Sequence, residues 1–315
     1  MQSKITKGFK LDWRQNIVFI AFAFVFIFFS VTLYNDGFLS VFNIANIFRQ
    51  TAIISVMAVG MTFVISAGEI DLSVGSITAL SALSTALVLD AGLGIFIALI
   101  VGLLTGLLFG IINGIFVSKV GIPSFLVTLG MMGTIRGTAM WLTNTKPIPI
   151  LNNSYNFWFG SGNIGQVPIL FFWTILIGVL GYIFYNKTTF GRHTLAVGGN
   201  EKAAKYTGIN TSMIKFKVMA LSGLMAGLAG MLYAGRMQSG RYTFGQGDEL
   251  SVIAAVILGG TSLFGGMGTI IGTLVGALMM GVINNGLIIA GLDVSQQMII
   301  RGLIIIFAVA LGKKQ

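Results

Sequence analysis

Two acids, Glu69 and Asp71, stand inside the stretch Ile65-Ser-Ala-Gly-Glu-Ile-Asp-Leu-Ser-Val-Gly-Ser76, with long apolar runs on both sides. A carboxylate at the centre of a membrane-spanning helix costs about 2.5–3.5 kcal/mol on insertion scales, so two of them need a reason. Gly68 and Gly75 supply one, because glycine lets the backbone leave a helix and turn. One helix ends near Gly68. The next starts with Asp71 or Ser73 as its N-cap, where a carboxylate also faces the positive end of the helix dipole. The pattern predicts a broken transmembrane hairpin, a device of transport proteins.

The composition points the same way. Of 315 residues, 55% are hydrophobic and 9% charged, which fits an all-α polytopic membrane protein and no soluble domain of this size. The apolar runs are continuous rather than alternating, which argues against a transmembrane β-barrel. There is no cysteine, so neither a disulfide nor a thiolate site exists, and the single His193 excludes a His-cluster metal site. The net charge of +10 resides in Lys and Arg between the apolar runs. That is the pattern of positive-inside topology, not of a nucleic-acid surface.

About ten spans are predicted, at roughly 17–33, 42–67, 74–90, 94–118, 124–142, 168–186, 214–236, 250–264, 268–290 and 295–311. The first follows Lys4, Lys7, Lys10 and Arg14 as in a signal peptide, but bulky residues stand where a cleavage site would be small, so it is read as a helix. With the N-terminus inside, the cytoplasmic side holds those four, Lys119, six basic residues between 187 and 217, Lys313 and Lys314. The outer side holds only Lys146, Arg236 and Arg241. This bias predicts that both termini are cytoplasmic.

The chain also repeats itself. Gly102, Gly106, Gly110, Asn113 and Gly114 are echoed by Gly272, Gly276, Gly281, Asn284 and Gly286. Asp71-Leu-Ser-Val74 is echoed by Glu249-Leu-Ser-Val252, and Arg136-Gly137 by Arg301-Gly302. Three echoes in one order predict a single transmembrane domain, 1–315, of two five-helix halves, roughly 1–142 and 168–315. An odd number of spans per half makes the repeat inverted in the membrane.

The glycines four apart serve close helix packing. The run Gly259-Gly-Thr-Ser-Leu-Phe-Gly-Gly-Met-Gly268 holds too many glycines for a regular helix and predicts a second discontinuity, with Thr261 and Ser262 as polar groups. Glu69, Asp71 and Ser73 with Thr261 and Ser262 are therefore candidates for the translocation pathway or gate. For the two acids, helix capping plus an ion pair to a buried Arg such as Arg136 is the alternative. In the cytoplasmic loop 187–213, Asn200 can cap a short helix, Glu201–Thr207, that Gly208 stops, and Asn210 can cap the next span. Such a helix suits a docking element or a solvated connector. There is no P-loop: the only Gly-Lys pair, Gly312-Lys313, lacks both the upstream glycine and the following Ser or Thr.

Three stretches together, Glu69–Ser76, Gly191–Asn210 and Leu258–Thr269, resemble the ribose-type sugar permeases, the transmembrane subunits of bacterial ABC importers. The likeness covers essentially the whole chain. It implies a permease subunit for a small neutral sugar, a ribose-like pentose, a hexose or a related polyol. It implies no enzyme activity or cofactor in this chain, a cytoplasmic ATPase subunit with the nucleotide sites, a periplasmic sugar-binding protein and a second permease copy, all in membrane lipid. Asn200 caps the segment in which Glu201, Ala203, Ala204 and Gly208 match the family's coupling-loop pattern. Glu69 departs from the small residue common at its position. The rival reading is an ion-coupled secondary transporter with Glu69 and Asp71 as its cation site. An intramembrane enzyme lacks a His pair, a Cys and a base partner for any Ser.

Overall fold

A computed structural model describes residues 13–312, most of them helical. The helices are α1 (Trp13–Thr32), α2 (Val41–Ser66), α3 (Val74–Asp90), α4 (Ile95–Ile115), α5 (Ser124–Thr143), α6 (Asn153–Asn156), α7 (Ile169–Tyr182), α8 (Thr189–Gly199), α9 (Glu201–Tyr206), α10 (Thr211–Met237), α11 (Asp248–Leu258), α12 (Ile270–Ile289) and α13 (Val294–Gly312). Single π-type turns extend α4 over Phe116–Val120 and α7 over Ile183–Lys187. Short strands β1 (Ile148–Pro149) and β4 (Ser239–Gly240) pair antiparallel, as do β2 (Asn163–Ile164) and β3 (Val167–Pro168).

Each predicted span has its helix. Among the described residues six helices, α2, α4, α5, α7, α10 and α12, are long and apolar enough to cross a membrane, α4 and α7 with their π turns. α3 is shorter at 17 residues, and α11 has only 11, about 16 Å of rise. The predicted span 250–264 therefore stops six residues early. Gly260, at φ +91°, sends its N–H back to Ile257 O while Thr261 N–H reaches Val256 O, which closes the helix. At the start of α13, Asp293 and Gln296 exchange side-chain to backbone hydrogen bonds in a capping box. The Ser295 hydroxyl, then the Gln296 N–H, hold the Asp293 carboxyl below its ordinary range.

α2 and α10 are the central pair, buried along most of their length. They touch where Gly60 meets Ser222 and Met225. Around them α4 packs on α10 and α3, while α12 packs on α2 and α11. α3 leans on α5, and α11 leans on α13. The small residues set these distances. A Cβ on Gly106 would lie 2.4 Å from Gly223 O, and one on Gly272 would lie 2.0 Å from Gly259 O. The helices thus meet backbone to backbone, where dispersion supplies the attraction that lipid does not. α1 packs on α12, and α7 packs on α2.

Two helix N-termini meet inside the bundle. A Cβ on Gly75, in the first turn of α3, would lie 2.1 Å from Gly245 O and 2.6 Å from Glu249 Oε2, at the start of α11. The outward faces of α1, α4 and α7 carry exposed Phe24, Phe28, Leu104, Leu108, Ile175 and Val179, an apolar surface suited to lipid. α5 differs. A Cβ on Gly130, Gly133 or Gly137 would meet nothing within 4 Å.

Candidate transport and coupling site

The break between α2 and α3 is built from its backbone outward. α2 ends in a left-handed glycine cap: Gly68 stands at φ +81°, its N–H reaches Ile65 O, and Glu69 N–H reaches Val64 O. The next residues are held by side chains of other helices. Ile70 N–H donates to Ser124 Oγ at 3.0 Å, and Thr128 Oγ1 donates to Ile70 O at 3.4 Å, both from α5. Asp71 is fully buried. Its Oδ1 accepts from Ser73 N–H at 2.9 Å and Ser73 Oγ at 2.6 Å, and its Oδ2 accepts from Ser222 Oγ of α10 at 2.8 Å. Asn113 Nδ2 of α4 donates to Ser73 Oγ at 2.8 Å. Ser73 takes the N-cap position of α3 without a side-chain cap bond, so Asp71 ties a turn rather than capping the helix.

Glu69 has a different partner from the one sequence reasoning offered. Its Oε1 lies 2.9 Å from Lys215 Nζ on α10, and the same Nζ lies 2.8 Å from Glu201 Oε2 in the first turn of α9. Arg136 is occupied elsewhere, donating to Tyr242 O and, at 2.7 Å, to Phe244 O, and so pins the loop before α11. Lys215 was missed because 146 residues separate it from Glu69, and no local pattern joins them. The three charged groups line a cleft of about 230 Å³ with Val117, Ser118 and Pro123.

The glycine-rich segment after α11 meets the first break at Ser66. Gly266 N–H donates to Ser66 O at 3.0 Å, and Ser66 Oγ lies 2.6 Å from Tyr185 OH. Thr261 is buried and Ser262 Oγ accepts from Phe264 N–H at 3.3 Å, a local turn. Asp71 and Ser73 thus form one hydrogen-bonded group, while Thr261 stands near Ser66 and Tyr185 around Gly268, and Ser262 closes a local turn.

The stretch 187–213 carries two helices, and the first, α8, was not foreseen. Its glycines obscured it. Gly191 and Gly198 are there because a Cβ would lie 1.8 Å from Tyr185 O and 1.9 Å from Ser66 O. The second follows expectation: Asn200 Oδ1 accepts from Ala203 N–H at 3.0 Å, and Gly208, at φ +85°, ends α9. Asn210 Oδ1 then caps α10 through Met213 N–H at 2.9 Å. Ala203 is exposed, whereas Ala204 is buried against the permease's own core. Tyr206, 92% exposed, is a residue that sequence reasoning passed over. Phe264 and Met267 are exposed on the glycine-rich segment, which packs on α8 at Gly198 and Gly199.

Residues 43–309 match a family described as "Branched-chain amino acid transport system / permease component". The chain belongs to this permease family. The Ribose import permease protein RbsC of Bacillus subtilis (strain 168) is 43% identical to the permease over 286 residues, 90% of this chain and 89% of the relative. Its namesake from Escherichia coli (strain K12) is 38% identical over 313 residues, 98% of this chain and 96% of its own. The L-arabinose transport system permease protein AraH of the same strain is 35% identical over 306 residues, 97% of this chain and 92% of its own. No solved structure matches the permease.

Proposed function

We propose that this chain is the membrane subunit of an ATP-driven importer for a small neutral sugar, a ribose-like pentose, a hexose or a related polyol. The observation that carries the reading is near full-length similarity to relatives named as ribose and arabinose permeases. The chain catalyses no reaction and uses no cofactor. It alternates access in the bacterial inner membrane while a separate cytoplasmic ATPase hydrolyses ATP. A periplasmic binding protein delivers the sugar. Ten spans cross the membrane, with both ends of the chain and 187–213 on the cytoplasmic side.

Two inverted halves fit the packing, since the partners of α4 in the first half correspond to those of α12 in the second. The coupling site consists of Asn200, Glu201, Ala203 and Gly208 on and around α9, with Tyr206 as an aromatic anchor. Ala204 supports it from beneath. A second permease copy packs on the open face of α5, where Gly130, Gly133 and Gly137 meet no neighbour and small residues admit a helix closely. The pathway runs beside Glu69, Asp71 and Ser73, with Thr261 and Ser262 at its inner end.

Uptake by cells carrying the complete system tests the substrate class. Labelled ribose or arabinose should accumulate and labelled leucine should not. Uptake of leucine with neither sugar taken up would contradict the reading.

A further inference from the structure

The five residues Glu69 to Ser73 are strung between four other helices, and besides the Asp71–Ser73 turn their side-chain bonds run to those helices. Glu69 is tied to α10 and, through Lys215, to α9. Ile70 is tied at both backbone groups to α5. Asp71 is tied to α10 and Ser73 to α4. A segment held this way follows its neighbours when they move. Of these ties only the first leads out of the bundle, to a short helix at its surface.

We infer that Lys215 is the link by which displacement of α9 reaches the α2–α3 break, and through Ile70 the first turn of α5. It is a positioning residue, and the inference rests on the reading that α9 docks an ATPase. The geometry sets its strength. Lys215 Nζ makes two ion pairs of 2.9 and 2.8 Å, and the Glu69 side chain is 11% exposed while that of Glu201 is 49% exposed. The Glu69 contact is therefore the less screened of the two. The cleft of about 230 Å³ beside the lysine, lined by Glu69, Ser118, Pro123 and Glu201, gives it room to move without breaking core packing. Without the lysine, two carboxylates share the cleft with no cation between them, so the tie becomes a repulsion.

The test uses the whole complex in liposomes, with the ATPase subunit and binding protein, and labelled ribose as probe. Lys215→Met should retain the ATPase subunit through purification and continue to hydrolyse ATP, but import at least tenfold fewer sugars per ATP. Lys215→Arg should restore most of the coupling, since a guanidinium can pair with both carboxylates. If Lys215→Met does not assemble, the double variant Lys215→Met with Glu69→Gln removes the buried charge and should assemble while staying uncoupled. Wild-type coupling in Lys215→Met, or in that double variant, overturns the inference. A wild-type complex that binds no ATPase overturns instead the reading beneath it, and the inference with it.

Discussion

Ser222 on α10 donates its hydroxyl to Asp71 Oδ2 at 2.8 Å, joining that long helix to the break between α2 and α3. With the two bonds from Ser73, the buried carboxylate accepts three hydrogen bonds. Burial of a charge is costly, and these three hydrogen bonds offset part of that cost. Asp71 is thus bonded within the protein, to α3 and α10.

Asp71→Asn and Asp71→Ala should behave differently. Asparagine keeps an acceptor for Ser73, and the Ser222 hydroxyl can turn to accept from its amide. It should preserve assembly and sugar uptake within a few-fold. Alanine leaves buried donors unpaired, at about 1–3 kcal/mol each, and should lower the thermal midpoint in detergent by several degrees. Loss of uptake in a folded Asp71→Asn protein would assign the charge to the pathway instead.

Glycines of equal appearance should differ in tolerance. Gly106→Ala or Gly223→Ala puts a Cβ about where the opposing backbone stands, 2.4 Å from a carbonyl oxygen, and should destabilise by about 1–3 kcal/mol. Gly137→Ala meets open space and should leave subunit stability unchanged or raise it by about 0.5–1 kcal/mol. Gly137→Leu should fold and weaken dimerisation, read by light scattering in detergent. An unaltered dimer there would remove α5 from the interface.

Ala203→Glu and Tyr206→Ala change exposed side chains of α9. Both should leave the permease folded and inserted, while an unpaired buried charge or a lost anchor costs about 2 kcal/mol or more at the ATPase contact. Co-purification with the ATPase should fall at least tenfold. Ala204→Glu is expected to destabilise the permease itself, because Ala204 is buried in it.

The apolar runs made the helices legible, and the Asn-to-Gly bracket around Glu201–Tyr206 made α9 legible, because both signals are local. What stayed hidden was long-range. Lys215 reaches Glu69 only once α10 lies against α2, and β1 finds β4 only when the loops around Pro149 and Ser239 fold over the same end of the bundle. α8 was hidden for another reason. Glycine is a weak helix former, yet those of α8 are required by backbone contacts to Tyr185 and Ser66 that no local pattern records. Of the residues proposed for the pathway, Asp71 and Ser73 share a hydrogen-bonded group while Thr261 stands near Ser66 and Tyr185 and Ser262 closes a turn with Phe264. The shared chemistry of Asp, Ser and Thr could not reveal that division.

The basic bias sets an orientation that labelling can check. This chain has no cysteine, so single cysteines report cleanly. A cysteine at Gly199 should react with a membrane-impermeant maleimide only after the cells are opened, and one at Asn153 should react in intact cells. The reverse pattern would invert the topology and remove α9 from the ATPase side.

Uptake into liposomes decides most directly whether ATP drives this permease. The purified complex, with ATP enclosed and no ion gradient across the membrane, should accumulate labelled ribose delivered by its binding protein, and an uncoupler should make no difference. Uptake that needs a proton or sodium gradient and proceeds without ATP would contradict the account and make Glu69 and Asp71 a cation site.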